Sequence, residues 1–528
     1  MPRGVHARTL LAVAAGVVAA RAVEGCGGED LTGPSRDGGA DGTVAIGVDG
    51  PSTGGDDGIG ASDGSSGVVG SSSGGPLPWG CTGDAGQPLR CYVDLSCPGG
   101  SPTTLKGTVF DPAGKNPLPN AVVYVPNDTS SLPPLATGTN VCTSCAATIG
   151  DFASVTITGS DGSFTLRDVP TVANLPLVVQ IGKWRRRITV PEVADCATTT
   201  LPESGPAQLR LPRSLKEGDM PQMAILTGGA DDLGCFLTRV GVDPSEYAAP
   251  HAGGRVDVYQ GLATAGSFTG PGGGVSVYGP GLSGGVAGDC TTTSCPLWSS
   301  TSSLDAYDLV FLGCEGAAYD QTADGGDAGD AVVANVAPAA KQAMHDWLGQ
   351  GGRLFAAHNQ SAWFQNGPLD FQETAMWRAP SSSAAACPNC TVDDSFAGGQ
   401  RFQEWLQTIS LVPDGSTQLP LSNVTDSVST VNPATTLRWV YDPTGGDTKL
   451  LSFATPVGAI DAGLTKYYCG KVVFFDLHAG GPPEGDVPAS CSAADLTPDE
   501  KLLEYQLFDE SACVHTEVLP PPPSPRGM

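Results

Sequence analysis

Basic residues are scarce in this chain. Twenty-seven Lys and Arg stand against 55 Asp and Glu, a formal charge of −28. So acidic a chain repels a phosphate backbone, which excludes nucleic acid as a partner. Charged residues of both signs together make up only 16% of the 528 positions, too few for long solvated helices. The apolar run near the N-terminus, Leu10 to Ala20, is also short: at about a dozen residues it falls below the ~20 that a membrane-spanning helix needs. Glycine and proline, by contrast, are abundant at 72 and 44 residues, a balance that suits a loop-rich, strand-rich extracellular protein.

The N-terminus has the three parts of a secretory signal, expected over residues 1–25. MPRGVHAR supplies Arg3 and Arg8, the apolar run follows, and small residues then lead to Cys26. Val23-Glu24-Gly25-Cys26 resembles the bacterial lipobox, which implies a lipidated Cys26 and a membrane partner reached through that anchor, at the outer membrane of the cell envelope. Ala20-Arg21-Ala22 offers ordinary signal cleavage instead, so both routes stay open. Residues 26–79 read as the anchor and a Gly/Ser/Asp tether. Such a segment cannot bury enough surface to offset its ordering entropy. Asp37, Asp41 and Asp49 within it lack the spacing of a calcium loop.

Sixteen cysteines in an exported chain read first as disulfides. Local clustering suggests short-range bridges among Cys81, Cys91 and Cys97, and within the pairs Cys142/Cys145, Cys290/Cys295 and Cys387/Cys390. Two of these are C-x-x-C, but neither is accompanied by a second ligand pair of zinc-site spacing, so no metal or other cofactor is assigned.

The fold class expected is multidomain: a small antiparallel β-sandwich, then a three-layer α/β domain with a mainly parallel sheet. A Cys-rich segment (80–102) precedes the sandwich (103–213), the α/β domain covers 218–517, and a Pro-rich tail covers 518–528. In the sandwich, short β-branched runs alternate with turns such as Ser160-Asp161-Gly162. Lys183 to Arg187 (KWRRR) reads either as a docking patch for anionic glycans or as a strand with outward charges and Trp184 inward. In the α/β domain, QMAILT, YDLVFLGC, RLFAA and KVVFFDL read as buried parallel strands, and 337–350 and 497–511 as helices. Thr497-Pro498-Asp499-Glu500 has the form of a helix cap.

GTVFDPAGKNPLPNAVVYV followed by GSDGSFTLRDVP resembles the carboxypeptidase regulatory-like, transthyretin-like domain, which implies a non-catalytic stalk or binding appendage. DLVFLGCEG, GQGGRLFAAHNQSAWF and GKVVFFDLHAGG resemble the class I glutamine-amidotransferase-like fold, and within it the ThuA-like branch. The whole order is similar to that of a group of myxobacterial lipoproteins. The resemblance implies a nucleophilic cysteine on the turn after RLFAA and a later His-x-Glu. That turn reads Ala357-His358-Asn359 and the late strand ends in Asp476-Leu477-His478, so the amidotransferase triad is missing and glutamine hydrolysis is not expected.

Polar groups at strand ends remain. Glu315, His358 and His478 are the candidate catalytic residues, because two histidines and a carboxylate at the carboxyl edge of one sheet suit acid–base work or zinc. Asp231, Asp232, Asp476 and Trp363 are candidate ligand-binding residues on the same rim, with the aromatic ring suited to a sugar face. Cys314 reads as a displaced nucleophile or as a small buried residue. The function expected is an exported surface lipoprotein displaying a non-catalytic ligand-binding module, with carbohydrate as the ligand class. The alternative is an exported hydrolase or sugar-processing enzyme using His358, His478 and Glu315.

Overall fold

The computed structural model describes residues 81, 86–130, 132–138, 149–226, 230–248, 250–260, 284–286, 297–314, 336–379, 384–458, 468–479, 488 and 491–511, all within one compact unit. Cys26, the tether, Cys142, Cys145, Cys290, Cys295, Glu315 and the tail lie outside these residues. The described part is β-rich, with several sheets of mixed parallel and antiparallel pairing and few helices. Among the described residues no helix is long and apolar enough to cross a membrane.

Alternating β-branched and turn residues give β1 (Thr104–Thr108), β2 (Val122–Pro126), β3 (Phe152–Ile157), β4 (Ser163–Arg167), β5 (Leu175–Ile181), β6 (Trp184–Val190), β7 (Thr198–Thr200) and β8 (Gly218–Asp219). They pair as β4-β1-β7 and β3-β2-β5-β6-β8, antiparallel except between β1 and β7. The β3–β4 connection is the Ser-Asp-Gly turn: the Asp161 carboxylate accepts from Ser163 N at 2.9 Å and Gly162 takes φ +70°. A Cβ there would sit 2.7 Å from Pro117, so only glycine fits.

The basic run at β6 takes the strand form expected from sequence in part. Trp184 does point inward and is fully buried. The charges beside it are consumed internally. Arg185 is 4% exposed and donates to Asp219 at 2.7 and 2.9 Å. Arg187 donates to the carbonyls of Thr129 and Ser130, and Lys183 to Asp308 and the carbonyl of Gly138. These cations hold the 129–138 segment and a second sheet; they do not form an open glycan-docking patch.

That second sheet begins with β9 (Met223–Leu226). The elements after it are α1 (Leu233–Val240), β10 (Tyr247–Ala248), β11 (Val256–Gln260), β12 (Gly284–Val286), α2 (Thr301–Leu304), β13 (Leu309–Leu312), α3 (Pro338–Gly349) and β14 (Arg353–Ala357). Then come α4 (Ala362–Gln365), α5 (Leu369–Gln372), β15 (Ala375–Trp377), β16 (Ala385–Val392), α6 (Ala397–Thr408), β17 (Gln418–Val424) and β18 (Val428–Val431). The last are β19 (Thr436–Tyr441), β20 (Thr448–Thr455), β21 (Gly470–Phe475) and α7 (Pro498–Ser511). The large sheet runs β10-β11-β9-β13-β14-β21-β20-β19-β16-β17, with β12 beside β11. From β10 to β21 every pair is parallel; from β21 to β17 every pair is antiparallel. A mainly parallel sheet was expected; the sheet is mixed, with six parallel pairs and four antiparallel ones.

The parallel strands read as continuous apolar runs because both faces are covered. Met223, Ile225, Leu309, Phe311, Phe355, Val473 and Phe475 join one core cluster with α1, α6 and α7. Ala224, Leu226, Val310, Leu312, Leu354, Val472 and Phe474 join the other, with Trp347 and Leu348 of α3. The first cluster continues without a break into Leu105, Val123, Phe164 and Leu177, so the N-terminal sheets share a core with the large one. The connection between the two parts, residues 210–219, is held by the Arg210–Glu217 ion pair and by Leu215 N donating to Glu246. At the end of α1, Gly241 takes φ +113°, and a Cβ would lie 2.2 Å from Ala113 N. Its missing side chain lets the 111–116 turn close on the helix, where Ala113 N donates to Val240 O.

Two of the expected short bridges form, Cys81–Cys91 and Cys387–Cys390. Cys97 instead bonds Cys196, 99 residues on, and Cys235 bonds Cys491, 256 residues on. Sequence proximity missed both because tertiary packing, not spacing, brings those sulfurs together: β1 and β7 pair beside Cys97 and Cys196, and α1 meets the segment before α7 at Cys235 and Cys491.

Candidate functional site

Four adjacent parallel strands, β9, β13, β14 and β21, end on one edge of the large sheet. Each delivers one polar residue within a few positions of its carboxyl end: Asp231, Cys314, His358 and His478. In parallel sheets that edge is where loops are free to differ and ligands bind.

The four converge. Cys314 Sγ lies 3.4 Å from His358 Nδ1, and His478 Nδ1 lies 3.1 Å from Asp231 Oδ1. The imidazole centroids of His358 and His478 are 5.3 Å apart and nearly perpendicular. Asp231 is fixed by backbone donors, accepting from Cys314 N at 2.8 Å and Ala479 N at 3.0 Å. These bonds tie the ends of β13 and β21 to the segment after β9. Cys314 and His358 are buried, while His478 is partly open at 16% exposure. Burial opposes charge on His478, but the Asp231 carboxylate and the Cys314 sulfur outweigh it and push its pKa up to about 11. His478 is therefore a cation clamped between a carboxylate and a thiol.

Behind the cluster, Gln360 is fully buried and donates to Gly313 O at 2.9 Å, fixing the turn that carries Cys314. Trp363 Nε1 donates to Gln360 Oε1 at 3.0 Å, and its ring packs edge-on against Trp298. Trp363 is 2% exposed, so it supports the turn from the core and offers no open face for a sugar ring.

The remaining candidates sit at different tasks. Asp232 caps α1 by accepting from Cys235 N, and burial raises its pKa to about 6. Asp476 is fully buried, and its carboxylate accepts from Thr425 Oγ1, Ser427 Oγ and Ser427 N. It braces the 425–427 turn and does not face the rim, and burial holds its pKa above the usual carboxylate range. Glu315 lies outside the described residues, as does the 227–229 stretch after β9.

The structure thus joins His358, His478 and Asp231 from the sequence candidates and adds Cys314 as their centre. The signal for Cys314 was its position two residues past an apolar strand, in Gly313-Cys314-Glu315-Gly316. Chemically, the group offers a thiol, two imidazoles and an orienting carboxylate, which suit ligand binding, metal ligation or proton transfer.

No family model and no curated protein matches the chain. Among solved structures, it is similar to a cytoplasmic protein from Salmonella typhimurium and to another from Salmonella typhimurium LT2. Each is 11% identical with a TM-score of 0.26, covering 55% of this chain and 98% and 97% of theirs.

Proposed function

We propose that this chain is an exported surface lipoprotein that binds a small ligand at the carboxyl edge of its large sheet. In this reading residues 103–213 form a carboxypeptidase regulatory-like β-sandwich, and 218–517 a three-layer, ThuA-like α/β domain. The tether and a lipid on Cys26 hold both at the outer membrane. The signal-like N-terminus and the disulfides at Cys97–Cys196 and Cys235–Cys491 support an oxidising, extracytoplasmic setting. One test is labelling with a radioactive fatty acid in a bacterial host. Label is expected on the wild-type chain and absent from Cys26→Ser; equal label on both removes the anchor.

The observation that carries the ligand-binding reading is the convergence of Asp231, Cys314, His358 and His478, four polar side chains from four strand ends. A buried polar group needs a partner, and polar groups gathered at one edge orient a bound molecule. Carbohydrate is the proposed ligand class, with the hydroxyls meeting His478 and its neighbours. Calorimetric titration of the full chain with a panel of saccharides tests it. Binding at least tenfold weaker in His358→Asn is the expected result. Equal affinity in wild type and variant would move the site elsewhere, and a panel that binds neither would exclude carbohydrate.

A second reading, an exported hydrolase, is favoured by the Asp231–His478 pair beside Cys314. A carboxylate holding a protonated imidazole beside a sulfur is an arrangement that favours the thiolate, the nucleophilic form of cysteine.

A further inference from the structure

We infer that Cys314, His358 and His478 form a zinc site with one open coordination position. This deepens, and rests on, the reading of the carboxyl edge as the ligand site. Each of the three side chains offers one ligand atom, and these atoms all lie within 4.8 Å of one another. A tetrahedral zinc with Zn–S near 2.3 Å and Zn–N near 2.05 Å sets sulfur and nitrogen about 3.5 Å apart. The Cys314 Sγ to His358 Nδ1 distance is 3.4 Å, so that edge of the tetrahedron already exists.

The surroundings fit as well. Asp231 occupies Nδ1 of His478, which leaves Nε2 as the nitrogen for an ion. A carboxylate behind a ligating imidazole fixes its orientation and raises its basicity, as in carboxylate–histidine–zinc sites. The backbone donors from Cys314 and Ala479 lock Asp231 in turn. Gln360, held by Trp363, fixes the carbonyl of Gly313 next to the sulfur. The donor set of one sulfur and two nitrogens suits zinc and disfavours calcium or magnesium, which take oxygen ligands. Three protein ligands with a partly open His478 leave the fourth position to water or to an oxygen of the bound ligand. On binding, the Cys314 thiol and the His478 imidazolium each release a proton to solvent, and the sulfur bonds the ion as thiolate while His478 Nε2 bonds it as neutral imidazole. Nothing is oxidised or reduced.

The other described cysteines give a further reason. Among the described residues, Cys81, Cys91, Cys97, Cys196, Cys235, Cys387, Cys390, Cys469 and Cys491 are disulfide-bonded, whereas Cys314 keeps a buried thiol beside the two imidazoles. Zinc ligation is a chemical use for that thiol in an oxidising setting.

The test uses the full chain with its disulfides intact, stripped with a chelator and then given zinc or cobalt(II). One equivalent of zinc is expected by elemental analysis. Cobalt should produce the intense visible bands of a tetrahedral site and a near-ultraviolet thiolate-to-cobalt band. Cys314→Ser should lose the thiolate band, and Asp231→Asn should weaken zinc binding by about 10–100-fold. Should Asp231→Asn fail to fold, the wild-type cobalt spectrum and His358→Ala carry the decision. A chain that retains no zinc, or whose cobalt spectrum lacks the thiolate band, overturns the site. A chain that retains no zinc yet binds saccharide, with that binding still weakened by His358→Asn, would overturn the zinc while leaving the ligand site standing. Zinc bound at Cys314 with no saccharide bound would support the metal site and remove carbohydrate from the reading.

Discussion

Arg239→Met is expected to lower the free energy of unfolding by about 3–5 kcal/mol, the usual cost of stranding one member of a buried ion pair. Arg239 is 9% exposed at its side chain and Glu500 fully buried, and Arg239 Nη2 donates to Glu500 Oε1. Glu500 has a second duty: its Oε2 accepts from Thr497 N at 2.9 Å while Thr497 Oγ1 accepts from Glu500 N at 3.2 Å. This reciprocal cap and the helix N-terminus still favour the carboxylate when the guanidinium is gone, which places the loss at the lower end of that range. The double variant Arg239→Met with Glu500→Gln should recover most of it, since glutamine keeps the cap and carries no charge. Urea unfolding of the three proteins reads the result. A single-variant loss below about 1 kcal/mol would mean the pair is solvated, as exposed pairs are.

Glu504→Gln is expected to stabilise the protein at neutral pH, by on the order of 2–3 kcal/mol, and to do nothing of the kind at pH 4. Glu504 on α7 and Asp111 in the turn after β1 are both buried against each other, where the N-terminal sheets meet the large one. Asp111 Oδ1 accepts from Lys115 N and Glu504 Oε2 from Asn116 Nδ2, both at 2.7 Å. Among the described residues, Asp111 Oδ2 and Glu504 Oε1 receive no other donor, so a proton shared between them is what satisfies both. Burial pushes Asp111 up to about 6, and burial together with Asp111 pushes Glu504 well above the usual range, against the opposing hydrogen bond from Asn116 and the charge of Lys501. Both folded pKa values exceed the unfolded ones. The pair's stabilisation is therefore complete below about pH 4 and is lost as pH rises through 6 and beyond. Glutamine supplies a permanent donor to Asp111 and abolishes that loss. Comparing the two proteins from pH 4 to pH 8 isolates the pair from every other titrating group. A difference that stays constant with pH would show that the carboxyls do not share a proton.

The elements legible in the sequence were those whose residues are buried on both faces or capped by side chains. QMAILT, YDLVFLGC, RLFAA and KVVFFDL became β9, β13, β14 and β21, and Thr497-Pro498-Asp499-Glu500 opens α7. In the antiparallel half, the outer strands β16 and β17 stayed hidden because they are half-wet. β17, QLPLSNV, alternates between buried and exposed positions, and its polar residues read as loop. His358 and His478 were legible as partners because each follows a parallel strand, and strand ends on one edge must be near one another. Cys314 was harder. Its character depends on His358 and His478 reaching it from β14 and β21, which requires the strand order to be known. Trp363 and Asp476 show the reverse: both lie close in sequence to the site's histidines, yet each side chain turns into the interior. Sequence position gives a residue's level along a strand, and only packing decides which way it faces.

The Cys235–Cys491 bond joins the first helix after β9 to the approach of the last, so that everything from β10 to β21 lies inside one covalent ring. A protease that cuts any loop within that ring opens it without releasing a fragment. The nicked protein keeps its mass, and its pieces part only on reduction. Wherever a protease reaches such a loop, the bridge turns what would be a lethal cut into a silent one.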